Sequence, residues 1–153
     1  MVAVATLYED VAQEAALRDV VRRMASMDAD YRMAVVSVIP PEPLLGGSRA
    51  DESGGRLHIR HLVQLRHWAK PLGLPADRLT CHVLQEDDAA AALLAYARLN
   101  HVDQLVIGAP PGARAPGMGV SLRPPAGGVA TRVMLEAPCT VTLVRPLEAS
   151  ARL

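Results

Sequence analysis

Residues 105–144 read LVIG, then APPGARAPGMGVSLRPPAGG, then VATRVMLEAPCTVTLV. Leu105, Val106 and Ile107 form an apolar strand core, and Thr140 to Val144 form a second one rich in β-branched residues. Between them Val129, Val133 and Ala137 recur at helical spacing, and Pro138 ends that helix. A strand, a helix and a strand in that order make a crossover unit, which joins parallel strands.

The same alternation runs upstream. Asp87 and Asp88 stand where an N-terminal cap belongs, ahead of an Ala-rich run to Leu99 with the highest helix propensity in the chain. Leu79 to Leu84 reads as a strand. Leu57 to Leu72 is helical through Ile59, Leu62, Val63, Leu65 and Ala69, with Gly73 and Pro75 as stop signals. Residues 40–56, which hold three prolines and four glycines, read as a mobile loop. Met33 to Ile39 is apolar except for Ser37, as in a strand covered on both faces, and Pro40-Pro41 stops it. Val2 to Leu7 is the first strand, and Leu17, Val20, Val21 and Met24 mark the first helix after Glu9 and Asp10. Five strands alternating with four helices predict a five-stranded parallel α/β sheet with two helices on each face. Ligands of such sheets bind beyond the carboxyl ends of the strands where the winding reverses, so the loop after Ile107 is the candidate site.

Composition bounds what that site serves. The 153 residues suit one domain, and a core without Phe, with one Trp and three Tyr, must be aliphatic. Sixteen basic and sixteen acidic residues leave no net field for a polyanion, and aromatic platforms for bases are scarce, so nucleic acid is not an expected partner. No apolar run approaches the ~20 residues that span a bilayer, and no signal-peptide pattern opens the chain, so no membrane is expected and a cytoplasmic location is. Cys81 and Cys139 read as small buried hydrophobes and not as a disulfide, a zinc site or a nucleophile.

The stretch from Gly108 to Gly128 holds six glycines, which let backbone N–H groups approach an anion, and the helix start after it adds ~0.5 e of positive charge. Five prolines, Pro110, Pro111, Pro116, Pro124 and Pro125, remove donors from the same loop. Arg114 and Arg123 offer charge-assisted replacements, although solvated loop charges are the simpler account.

Leu105-Val106-Ile107-Gly108, the glycine loop, Gly127-Gly128-Val129-Ala130-Thr131-Arg132-Val133 and Glu136-Ala137-Pro138-Cys139-Thr140-Val141 together resemble the C-terminal signature of universal stress proteins. The resemblance extends over the chain through Met33 to Pro40 and the Ala-rich helix. At Leu57 to Pro75 and Cys81 to Leu84 it is similar to stress-protein domains joined to bacterial serine/threonine kinases. The resemblance implies a domain over residues 1–147 with a tail at 148–153, and a Rossmann-like sheet of the adenine nucleotide alpha hydrolase type in strand order 3-2-1-4-5. It implies ATP or another adenine nucleotide such as AMP as ligand, with Gly108, Gly112, Gly127, Gly128 and Val129 at the phosphates and Val38 at the adenine. It also implies a homodimer through the last strand, whose edge invites pairing. Three departures bear on binding: the family's first-strand Asp falls at Ala5, three residues stand between Gly108 and Gly112 where the family has two, and Gly128 replaces a serine.

Other constellations point elsewhere. His58 and His61 share a helix face but lack a third fixed ligand, so no metal is expected. Glu86, Asp87 and Asp88 fit helix capping better than acid/base work, and Ser121 lacks a nucleophile elbow, so no catalytic residue is named. The expected function is a regulatory module, not an enzyme, slow ATP hydrolysis aside, acting through dimerisation or a docked protein such as a kinase domain. The alternative is a stress-protein domain that has lost nucleotide binding and serves only as an interaction module.

Overall fold

A computed structural model of the chain describes residues 1–6, 11–27, 30–41, 50–109 and 128–145, with the side chains of 50–54 left out. The order is β1 (Val2–Thr6), α1 (Val11–Met27), β2 (Met33–Ile39), α2 (Ala50–Ala69), a short 3-10 helix (Lys70–Leu72), β3 (Leu79–Gln85), α3 (Ala89–Leu99), β4 (Gln104–Gly108), α4 (Val129–Glu136) and β5 (Thr140–Val144). The strands form one sheet in the order β3-β2-β1-β4-β5, every neighbouring pair parallel. The predicted topology therefore holds.

Two core clusters account for the two helix layers. Val2 and Val4 of β1 meet Leu17 and Val21 of α1 and Leu65, Trp68 and Ala69 of α2 on one face. Ala3 and Ala5, on alternate positions, meet Leu93, Leu94 and Ala97 of α3 and Ala130 and Val133 of α4 on the other. All of β1 and six of the seven residues of β2 are buried, which is why both read as continuous apolar runs.

Local signals set the boundaries. Asp88 caps α3 by accepting the Ala91 N–H at 3.0 Å, as its place before the Ala-rich run predicts. Gly73 takes the left-handed conformation, φ 66°, and its N–H returns to the Lys70 carbonyl at 3.3 Å, ending the α2 region. One expectation needs correction: α2 begins at Ala50, so residues 50–56, read as loop, are helical. Ser53, Gly54 and Gly55 have low helix propensity, and they lie in a helix whose other end, at Leu65, Trp68 and Ala69, is anchored in the core.

The cysteines are free and half-buried, one against each core layer. Burial pushes both thiols above their ordinary pKa, which disfavours the reactive thiolate.

Candidate functional site

The winding reverses between β1 and β4: α1 leads from β1 to β2 on one side, and α4 leads from β4 to β5 on the other. The carboxyl ends of these two strands therefore flank a crevice. β1 ends at Thr6, which is opposite Ser37 of β2, while Ala5 is opposite Ile107 of β4.

Val38 lies one position past the Thr6 level, half-buried against the α3/α4 layer. Val129, the first residue of α4, is half-buried against that same layer. Gly128 is the α4 N-cap, with φ −72° and ψ 144°, and among the described residues no side chain caps the helix. The first-turn N–H groups of α4 thus meet no side-chain acceptor at the cap, the arrangement that suits an anion. A methyl group on Gly128 would meet only Thr131 Oγ1, at 3.7 Å, so packing does not demand glycine there. Gly112, Gly127, Arg114 and Arg123 lie outside the described residues.

Gly108 is a different case. It ends β4 on the α1 side of the sheet, and a Cβ there would come within 2.8 Å of Gln13 Cδ and 3.0 Å of its Cγ. Gln13 is buried, and its side-chain amide donates to the Ala109 carbonyl. The glycine that the motif assigns to phosphate has a packing reason of its own.

Ala5, where the family's acidic residue was expected, is enclosed in the α3/α4 core with Ala3, Val36 and Ile107. The polar side chain at the tip of β1 is Thr6, fully buried, and its hydroxyl has no hydrogen-bond partner among the described residues.

Beside the crevice an ion pair joins the starts of two helices. Arg132 of α4 pairs with Asp88, the α3 cap, and with Glu136 at 3.3 Å. The Ala91 N–H first, and then the Arg132 guanidinium, hold the Asp88 carboxyl below its ordinary value of 3.8. A carboxylate with a lowered folded pKa stabilises the fold above its unfolded value and loses that contribution as pH falls through the folded one. Asp88→Asn is therefore expected to melt somewhat below the wild type above pH 3.8, where the carboxylate makes its contribution, and to converge on it as the pH falls, as melting curves across about pH 2.5 to 7 would show.

Gln13, Thr6 and the Asp88–Arg132 pair are absent from the sequence-predicted site. Gln13 had a readable signal: it shares a helix face with Leu17 and Val21 at spacings of four, a lone amide on an apolar stripe. Among the described residues no three His, Cys, Asp or Glu side chains gather as a metal-binding group, and no helix is long and apolar enough to cross a membrane.

A family model described as the universal stress protein family matches residues 1–145. The chain belongs to the universal stress protein family. Solved universal stress proteins share its fold. UspA from Lactobacillus plantarum is 16% identical, with 95% of this chain and 97% of that chain covered and a TM-score of 0.64. The universal stress protein of Archaeoglobus fulgidus, solved in complex with dAMP, is 18% identical over 94% and 95%, with a TM-score of 0.59. A family protein from Arabidopsis thaliana with AMP bound is 13% identical over 97% and 93%, also with a TM-score of 0.59. No curated protein matches the sequence.

Proposed function

We propose that this universal stress protein is a regulatory module that binds an adenine nucleotide, ATP or AMP, at the β1/β4 crevice and acts through dimerisation or a docked partner, without catalytic machinery of its own. The observation that supports it most is the start of α4, uncapped by any side chain among the described residues, with Val38 and Val129 half-buried against one helix layer beside the winding reversal. The helix N-terminus, opened by Val129, suits the phosphates, and Val38 suits the flat apolar base. That two relatives of this fold were solved with dAMP and AMP agrees with the class of ligand.

Val129→Pro tests it. Proline is tolerated at the first position of a helix and removes only the N–H that a phosphate would use. One hydrogen bond to a charged group is worth ~1.5–3 kcal/mol, so calorimetry with AMP and ATP should show affinity reduced roughly tenfold to a hundredfold, with thermal stability near wild type. Equal affinity in the two proteins removes α4 from the site.

A second reading, a module without nucleotide, is favoured by Gln13 over Gly108 and by Ala5 in the acidic position. Mass spectrometry of ligand released from protein purified without added nucleotide separates the two: near-stoichiometric adenine nucleotide supports the first, and none, together with no calorimetric binding, supports the second.

Dimerisation is proposed through β5, which pairs with β4 on one side only among the described residues. Leu143 on that strand and Met134 and Leu135 on α4 are exposed. Light scattering is expected to give twice the chain mass at micromolar concentration and the single mass for Leu143→Asp. A single mass for the unaltered protein counts against the dimer.

A further inference from the structure

We propose that the outward face of α2 docks an acidic amphipathic helix of a partner protein. The chain has no net charge, and α2 holds Asp51 and Glu52 in its first turn, but past them residues 56–70 carry Arg56, Arg60, Arg66 and Lys70 with His58, His61 and His67 and no Asp or Glu. Helical geometry sorts these residues. Leu65, Trp68 and Ala69 are buried against the sheet, and the opposite face centres on Ile59 and Val63, one turn apart and 61% and 58% exposed. Arg60 and His67 border that apolar pair on one side and Arg66 on the other, all exposed.

Ordinary accounts explain part of this. Arg66 and His67 fall in the last turn of α2, where cations complement the helix dipole. Arg60 lies well before that turn, beyond the reach of the effect, and with Arg66 it flanks the two aliphatic side chains that the helix leaves in water. An apolar centre inside a cationic rim is the complement of a helix with aliphatic residues four apart and carboxylates beside them. Rim charges of this kind set orientation and partner choice while the apolar centre supplies the buried area.

Other occupants fit less well. A second copy of the same face would set cations against cations. Single-stranded nucleic acid stacks on aromatic rings, which this face lacks. Membrane insertion needs more apolar area, and usually aromatic residues, than two aliphatic side chains provide. α2 packs on β2 and β3, at the opposite edge of the sheet from β5, so the surface stands apart from the nucleotide crevice and the proposed dimer edge. It deepens the partner reading above without depending on nucleotide binding.

The test uses the full chain and a fluorescent synthetic helical peptide of about 16 residues, long enough to hold a helix. The peptide carries two leucines four apart with flanking glutamates, and its control carries glutamine in place of glutamate. Anisotropy is expected to show binding of the glutamate peptide that weakens with salt. Affinity should fall about tenfold or more for the control peptide, for Ile59→Ser/Val63→Ser and for Arg60→Glu/Arg66→Glu, a coupling of the size close charge pairs and interface anchors supply. Circular dichroism melts confirm that both double variants fold. Equal binding of the two peptides, no binding of either, or undiminished binding by Arg60→Glu/Arg66→Glu overturns the proposal. So does tighter, charge-reversal-sensitive binding to phosphatidylserine vesicles or to single-stranded DNA in the same assay, which assigns the face to those surfaces instead.

Discussion

Trp68→Ala is expected to lower the unfolding free energy by about 3 to 5 kcal/mol, the range for truncating a buried aromatic side chain. Trp68 is 6% exposed and shares a core cluster with Leu65, Leu72, Met33 and Val35. Among the described residues it is the largest side chain by which α2 holds the sheet, since the other buried ones on that helix are Leu65 and Ala69. Removing the indole leaves a hole between α2 and β2 that aliphatic neighbours fill only in part. Trp68→Phe should behave differently. The indole Nε1 is buried without a hydrogen-bond partner among the described residues, and an unmet buried donor costs about 1–3 kcal/mol. Phenylalanine loses contact area and removes that donor, so its net cost is expected below about 1.5 kcal/mol. Urea unfolding followed by circular dichroism is the measurement, because the chain has no other tryptophan to report by fluorescence. A cost for Trp68→Ala under about 1 kcal/mol would mean that α2 is not anchored through this residue.

The contrast between α2 and its neighbours shows what the sequence makes legible. β1 and β2 are buried on both faces, so their apolar runs name them, and the Ala-rich α3 is announced by propensity and by Asp88 at its cap. α2 is anchored by its last third, and its first seven residues include Ser53, Gly54 and Gly55, whose propensity points to loop. The start of that helix is a consequence of what the rest of it packs against, which no local window contains. The site divides in the same way. Val38, Gly108, Gly128 and Val129 fall at the sheet's carboxyl rim because alternation of strands and helices fixes which ends carry the loops. Which way each side chain faces depends on register. Register places Ala5 in the core beside Ile107 and brings the Gly108 backbone under a residue 95 positions earlier in the chain.

That contact carries the second large effect. Gly108→Ala is expected to destabilise the protein by about 2 to 3 kcal/mol, the loss for a buried polar group deprived of its partner. The backbone at Gly108 is ordinary strand, so the added methyl group brings no backbone strain, and its whole effect falls on the Gln13 side chain. With the methyl in place Gln13 must leave, and its bond to the Ala109 carbonyl is lost in a site closed to water. Gln13→Ala alone loses the same bond and opens a gap above Gly108. In the double variant the new methyl enters the gap that the amide vacated, so the two costs should not add: the pair is expected to be more stable than the sum predicts by about 1 to 2 kcal/mol. A thermodynamic cycle of the four proteins measures this directly, and strict additivity would show that Gln13 does not press on Gly108. The same four proteins sharpen the functional question. If Gln13 closes the crevice, Gln13→Ala should bind AMP more tightly than the wild type, whereas an amide that takes part in holding the nucleotide should make that variant the weaker binder.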